Sequence, residues 1–351
     1  MIVRIAFWLF VTVSSAAAQG FAGLGTDAEG FAVPTPDRAL SFPADHGPHP
    51  DYRIEWWYIT ATLEDAEGTP YGIQWTLFRS ALRPEISRGW TANQLWLGHA
   101  GMTTADQHYV AERRARGGLG TAGVTMSPFV AFIDDWRFES LSTAGDPYAH
   151  ARINARFSDA AYDLELTAEG PLVPQGKNGF SQKSPEGQAS YYYSQPFYRV
   201  EGVLQINGED IAVVGQAWLD REWSSQPLSD DQTGWDWFSL KFDDGARLMG
   251  FGLRSTSAKM FTAATWIDPD GTPTPFPDGA LRLTPLATAR VADRDVPVEW
   301  RLELPERGLD VTTRPLNRQS WMATSVPYWE GPIAFTGSHQ GRGYLEMTGY
   351  E

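Results

Sequence analysis

The sequence predicts an all-β protein built as two tandem antiparallel barrel-like units. Three observations carry that expectation. Short alternating segments separated by turn residues recur along the chain, no helical period of useful length appears, and one strand–turn–strand pattern occurs twice. The first copy is Arg53-Ile54-Glu55-Trp56-Trp57-Tyr58, running on to Leu63, an acidic turn ending in Gly68, and a return segment to Arg79-Ser80. The second is Gly234-Trp235-Asp236-Trp237-Phe238, running to Phe242, the turn Asp243-Asp244-Gly245, and a return segment to Arg254-Ser255. One duplication without a shorter period favours two units over an array of small repeats.

The chain opens Met1-Ile2-Val3-Arg4, turns apolar from Ile5 to Val13 and reaches Ala16-Ala17-Ala18. A basic start, a short apolar core and an Ala-x-Ala site read as a secretory signal peptide over residues 1–18. The 351 residues contain no cysteine. That excludes disulfides, thiol chemistry and a lipidated cysteine, and favours a bacterial periplasm over a disulfide-stapled secreted module. A periplasmic or secreted location is the expectation.

Residues 19–48, rich in Gly, Ala, Pro and Asp, are expected to form an extended N-terminal arm. The first barrel is expected over 49–229. After the first hairpin, strands are predicted at Leu95–Thr103, Val130–Leu141, Ala151–Phe157, Tyr162–Glu169, Tyr198–Ile206 and Ile211–Leu219. Asn207-Gly208 between the last two marks a tight hairpin, because both residues accept positive φ. Ala105–Arg116 is the one candidate for a short helix. The second barrel is expected over 230–351, with strands at Trp237–Phe242, Arg247–Leu253, Ala263–Ile267, Leu281–Pro285, Val298–Leu304, Leu309–Pro315, Ile333–Gly337 and Gly343–Gly349.

The formal charge is −15. An acidic chain without basic runs is a poor candidate for nucleic acid or anionic lipid surfaces. With 15 Trp, 13 Tyr and 18 Phe, it has an aromatic-rich interior or a ligand chamber. The six histidines, His46 and His49 among them, lack zinc-ligand spacing. No Gly-x-Ser-x-Gly elbow, phosphate loop or dinucleotide fingerprint is present. No metal or cofactor is expected.

The candidate chemistry lies in carboxylates set among aromatic rings. Asp220 and Glu222, two apart on a strand, point to one face, with Arg221 and Trp223 on the other. With Asp236 they are the candidate acids. Trp218, Trp223, Trp235 and Trp237 are candidate aromatic walls, able to stabilise a cation through the ring quadrupole. The competing reading is a structural ion pair between Arg221 and the acids. Glu55, with Trp57 on its face and Tyr58 on the other, is either a satisfied carboxylate inside the first barrel or part of an apolar chamber. Lys183 and Tyr192 are either a polar contact at a barrel mouth or packing.

Several segments together resemble the carotenoid 1,2-hydratase-like, lipocalin-like family of bacterial secreted proteins, also labelled predicted secreted hydrolases or attachment-type proteins. They are His49 to Tyr58, Gln74–Arg79, Gly179–Lys183, Ala189–Ser194, Gly215–Trp223, Gly234–Phe238, Tyr328–Gly331 and Gly343–Tyr350. The resemblance implies two lipocalin-like barrels. It also implies, for some members, acid-catalysed hydration of a carbon–carbon double bond. The Asp-His-Glu-Trp motif common in the family is Asp220-Arg221-Glu222-Trp223 here, with arginine in place of histidine. No motif supports the hydrolase label. Two functions follow as expectations: a periplasmic module binding an apolar lipid or isoprenoid, which is favoured, or a cofactor-free hydratase or isomerase acting on such a ligand. The expected partners are that apolar molecule and a membrane transport system, without nucleic acid.

Overall fold

The structure, a computed structural model, describes residue 24, residues 28–257 and residues 259–350. The expected signal peptide lies outside the described residues.

The first half begins with β1 (Ile54–Glu64), β2 (Pro70–Ala81), β3 (Gln94–Thr103) and β4 (His108–Arg116). It continues with β5 (Ala122–Met126), β6 (Phe129–Ile133), β7 (Trp136–Ser140), β8 (His150–Arg156) and β9 (Ala160–Ala168). Two short strands, β10 (Val173–Pro174) and β11 (Phe180–Gln182), precede the long pair β12 (Ala189–Ile206) and β13 (Glu209–Ser224). The sheet order is β4-β3-β2-β1-β13-β12-β9-β8-β7-β6-β5, with β10 and β11 paired to β12. β6 packs across against β2, β3 and β4, so the sheet nearly closes into a barrel. Gly98 permits that approach, since a Cβ there would lie 2.7 Å from Ile133.

The second half holds β14 (Gln232–Phe242), β15 (Arg247–Ser255), β16 (Phe261–Ile267), β17 (Pro273–Phe276), β18 (Arg282–Val291) and β19 (Arg294–Leu304). β20 (Leu309–Pro315), β21 (Trp321–Met322), β22 (Tyr328–Gly337) and β23 (Gly341–Met347) complete it. Its order is β17-β16-β15-β14-β23-β22-β20-β19-β18, a half-barrel. In each half the first strand pairs with its own hairpin partner and with the last strand: β1 with β2 and β13, β14 with β15 and β23. The fold is therefore all-β and built from tandem barrels, with the duplicated hairpin at the start of each.

The predicted helix over Ala105–Arg116 is instead the edge strand β4. Tyr109, Ala111 and Ala115, all at odd-numbered positions of the strand, turn toward the core, and β4 pairs with β3 along its length. The segment Val130–Leu141 is two strands rather than one. Asp134 adopts a φ of 52° and turns the chain. Asn207-Gly208 forms the expected tight turn, with φ of 52° and 87°.

The first barrel is filled. Trp57, Trp75, Trp136, Phe138, Tyr193 and Trp223 are fully buried in one core. The described part of the expected arm closes one end, seating His46 against Tyr148 at 3.8 Å between ring centroids. His46 Nδ1 bonds the Tyr193 hydroxyl at 2.6 Å, and the His46 carbonyl accepts from Trp57 Nε1 at 3.0 Å. The open space lies elsewhere, between the two sheets.

Candidate functional site

Strand alternation sorts the aromatic and acidic residues into two populations. On β1 and β13, Trp57, Arg221 and Trp223 face the first barrel's interior, whereas Tyr58, Trp218, Asp220 and Glu222 face the second sheet. There they meet Trp237, Phe251, Leu253 and Tyr344. Gly72 allows the sheets to close together, because a Cβ there would sit 2.5 Å from Pro332 of β22. Beside this packing lies a cavity of about 610 Å³. Its walls are mostly apolar, with Trp56, Phe78, Leu97, Leu228, Trp237 and Phe251 among them. Three carboxyls, Asp220, Glu222 and Glu346, open onto it together with Lys183.

Asp220 is cradled by donors of its own face. Ser194 Oγ and Trp218 Nε1 donate to Oδ1, and the Tyr192 hydroxyl donates to Oδ2, each at 2.6 Å. Burial nonetheless dominates, and with Glu222 nearby it pushes the Asp220 carboxyl up to about 7, against the pull of those three bonds. Glu222 pairs with Lys183 at 2.9 Å and accepts from Ser190. Lys183 Nζ also sits 4.3 Å from the Phe251 ring centroid. From the opposite wall, Glu346 accepts from Trp235 Nε1 at 2.5 Å. Burial raises it to about 7, opposed by that bond and reinforced by Asp220 and Glu222. Lys183 is paired with Glu222, while Asp220 and Glu346, each raised to about 7 by burial, are partly protonated at neutral pH.

Behind Glu346 stands Glu330, its direct neighbour in the β22–β23 register. The Tyr58 hydroxyl donates to it at 2.5 Å, and burial drives its carboxyl well above the usual range. His99 also lines the cavity. Its Nδ1 lies 3.0 Å from the Tyr328 hydroxyl and its Nε2 3.3 Å from Glu112. Burial lowers the His99 imidazole.

Of the residues singled out in the sequence, Tyr58, Lys183, Asp220, Glu222, Trp235 and Trp237 line this cavity, and Glu55 borders it with its carboxylate turned inward onto Arg79 and Arg221. Tyr192 and Trp218 stand behind the wall as partners of Asp220. Trp57, Arg221 and Trp223 do not reach it. Arg221 lies 3.7 Å from the Trp57 ring centroid, bonds Glu55, and donates to the Gly47 carbonyl at 2.5 Å. Its ion pair is therefore with Glu55 and not with Asp220 or Glu222, which lie on the other side of the strand. Burial would raise Glu55, but Arg79, Arg221 and His49 outweigh it and hold the carboxyl far below the usual range. Asp236 is also turned away, paired with Arg254 at 2.5 Å and with the Tyr350 hydroxyl at 3.0 Å. Arg79 and Arg254, the arginines that end the two echoed hairpins, thus each neutralise their own half's carboxylate.

Glu346, Glu330 and Tyr328 belong to segments that carry the family resemblance, but neither they nor His99 are among the candidate site residues read from the sequence. The alternation of Tyr344-Leu345-Glu346 places Tyr344 and Glu346 on one face, a signal available in the sequence. That this face meets Asp220 depends on how the sheets dock. Among the described residues, no group of three or more His, Asp or Glu side chains is arranged to hold a metal ion.

A family model described as AttH-like matches residues 33–350. A crystal structure described as a candidate AttH from Nitrosomonas europaea is 36% identical, with a TM-score of 0.82, covering 91% of this chain and 99% of that one. Kievitone hydratase from Nectria haematococca shares the fold at 17% identity and a TM-score of 0.68, covering 91% and 98%. CghA, solved with Sch210972, shares it at 14% and 0.59, covering 93% and 97%. No curated protein matches the chain.

Proposed function

We propose, from the premise that this chain belongs to the AttH-like family, that it takes an apolar lipid or isoprenoid into the cavity between its sheets and protonates a carbon–carbon double bond there. The reading rests on one observation: Asp220, whose carboxyl is pushed up to about 7, opens into an apolar, aromatic cavity. An alkene is protonated on carbon only by a positioned acid in a dry site. Asp220 supplies the proton, and a C–H bond forms at one alkene carbon. The cation left on the other carbon lies among Trp56, Trp235 and Trp237, whose ring faces stabilise it. Water adds to that carbon, and its released proton returns to the Asp220 carboxylate. Loss of a neighbouring proton instead of water addition gives an isomer. Kievitone hydratase is by its name a hydratase, and it lends the fold as precedent.

A purely binding role is the second reading. It is favoured by the three hydrogen bonds that already engage both Asp220 oxygens. Arg221 bears little on the choice, because it lies inside the first barrel. The proposal includes export to a periplasm, supported by the leader-like residues 1–18.

The test is incubation with an acyclic polyene or prenyl lipid, followed by mass spectrometry. Gain of one water or a shifted double bond, abolished by Asp220→Asn, is the expected result. Ligand bound and recovered unchanged would sink the chemical reading and leave the binding one.

A further inference from the structure

The whole-chain charge argues against anionic surfaces, yet one loop departs from it. The β2–β3 connection carries Leu82, Ile86 and Trp90, exposed to 62%, 57% and 80%. Leu95, at the start of β3, and Leu119, in the next turn, are also exposed. Five of the ten large exposed hydrophobics among the described residues therefore fall in this one region. Such clustering marks an interaction surface, whereas scattered single residues do not.

The exposure is built rather than incidental. Buried Asn93 donates from Nδ2 to the carbonyls of Arg83 at 2.9 Å and Glu85 at 2.6 Å. Ser87 Oγ donates to the Thr91 carbonyl at 2.7 Å. The turn after β4 packs against the loop, and a Cβ at Gly118 would lie 2.5 Å from the Gly89 carbonyl. The apolar tips are held outward by these bonds.

Basic residues surround the tips. Arg83 and Arg88 are exposed and, among the described residues, pair with no carboxylate. Arg116 uses Nε on the Ala92 carbonyl, which leaves its other nitrogens for an outside partner. Glu85 lies in the loop itself, Glu29 comes beside it through Gly30, which packs on Pro84, and Glu112 on β4 is bonded to Arg114. The remaining negative charge of the chain is screened beyond about 8 Å at physiological ionic strength, so the local patch sets the short-range field.

The cavity extends to this region. Leu95, Leu97, Arg114 and Arg116 line it, with Leu95 opposite Arg116 and Leu97 opposite Arg114 in the β3–β4 register. We propose that this loop docks the protein on an anionic phospholipid bilayer. Trp90, Ile86 and Leu82 enter the boundary between headgroups and acyl chains, and Arg83, Arg88 and Arg116 meet the phosphates. The cavity mouth then faces the membrane, and an apolar ligand passes between bilayer and protein without crossing water. That last clause rests on the reading of the cavity as an apolar-ligand site; the docking itself does not.

The experiment is flotation of residues 19–351 with vesicles of phosphatidylglycerol and phosphatidylcholine in equal parts. This chain contains every described residue and lacks the apolar N-terminal run, which would itself bind lipid. The expected result is binding that falls about 10-fold or more in Ile86→Ser/Trp90→Ser. Arg83→Gln/Arg88→Gln is expected to lose about 10-fold on these vesicles and little on neutral ones. Thermal unfolding confirms that these exposed substitutions leave the fold intact. Failure of the wild type to float, or flotation undiminished in Ile86→Ser/Trp90→Ser, overturns the proposal. So does a solution dimer dissociated by the same substitutions, which assigns the patch to a second copy. The vesicles carry no polyene, so a negative result leaves the cavity reading standing.

Discussion

Replacing Asp220 with Asn is expected to stabilise the protein in alkaline solution while abolishing the proposed protonation chemistry. Folding moves the Asp220 carboxyl from an ordinary 3.8 to about 7 through burial. A carboxyl raised on folding contributes its full stability below the unfolded value and loses it as pH climbs through the folded one. The loss is complete above pH 7 or so and amounts to about 4 kcal/mol, at about 1.4 kcal/mol for each tenfold change in proton affinity. Asparagine is close in shape to the protonated acid: its carbonyl oxygen accepts from Ser194 and Trp218 as Oδ1 does, and the Tyr192 hydroxyl turns from donor to acceptor toward its amide nitrogen. It carries no charge at any pH, so it escapes this loss. Between about pH 5 and about pH 9 the variant should gain about 3 kcal/mol on the wild type. Urea unfolding of both proteins at the two pH values measures the difference directly. Parallel pH dependence in the two proteins would show that Asp220 is ionised in the folded state, and the assignment of a buried acid would fall.

Glu346→Gln should behave in the same direction, by about 3 kcal/mol, since that carboxyl rises from 4.5 to about 7. Turnover, followed as kcat/KM against pH, should be flat in acid and decline as pH rises through about 7, because the proton donor is lost there. Glu55→Gln should cost about 3–5 kcal/mol by leaving Arg79 and Arg221 buried around a neutral side chain. Calorimetry would register that as a fall in Tm of about 6–10 °C. Trp223→Ala should destabilise by about 3–5 kcal/mol, since the ring is buried and stacked on His49. Trp237→Ala, at the cavity wall, should weaken ligand binding in a fluorescence titration, whereas Trp223→Ala should leave affinity unchanged.

The all-β class, the duplicated hairpin and the split of Asp220 and Glu222 from Arg221 and Trp223 were legible because alternation reports which face a side chain takes. Where both faces are buried, that signal vanishes. Alternation reveals β12 only from Tyr198 onward, since Ala189–Phe197 is buried on both sides, by the first barrel's core and by the second sheet. For the same reason the predicted strand Ile211–Leu219 stops short of β13, which runs to Ser224. β4 misled in the opposite way. It is an edge strand dense in charge, and its inward side chains are few. The meeting of Glu346 with Asp220 joins residues far apart in the chain, and no local pattern encodes it. The echoed Glu55 and Asp236 looked like equivalent chemistry, but each is spent on its own hairpin's arginine.

The cavity's walls belong to different sheets: Asp220 and Glu222 come from β13, Trp235, Trp237 and Glu346 from β14 and β23. Its dimensions are therefore a property of the seam and not of either barrel's curvature. A bound molecule acts there as mortar. Whatever free energy it contributes to the closed arrangement must reappear as cohesion between the halves. A tight ligand should make the two halves melt as one, and a substitution that loosens the seam at Gly72 against Pro332 should be felt as lost affinity far from any atom the ligand touches.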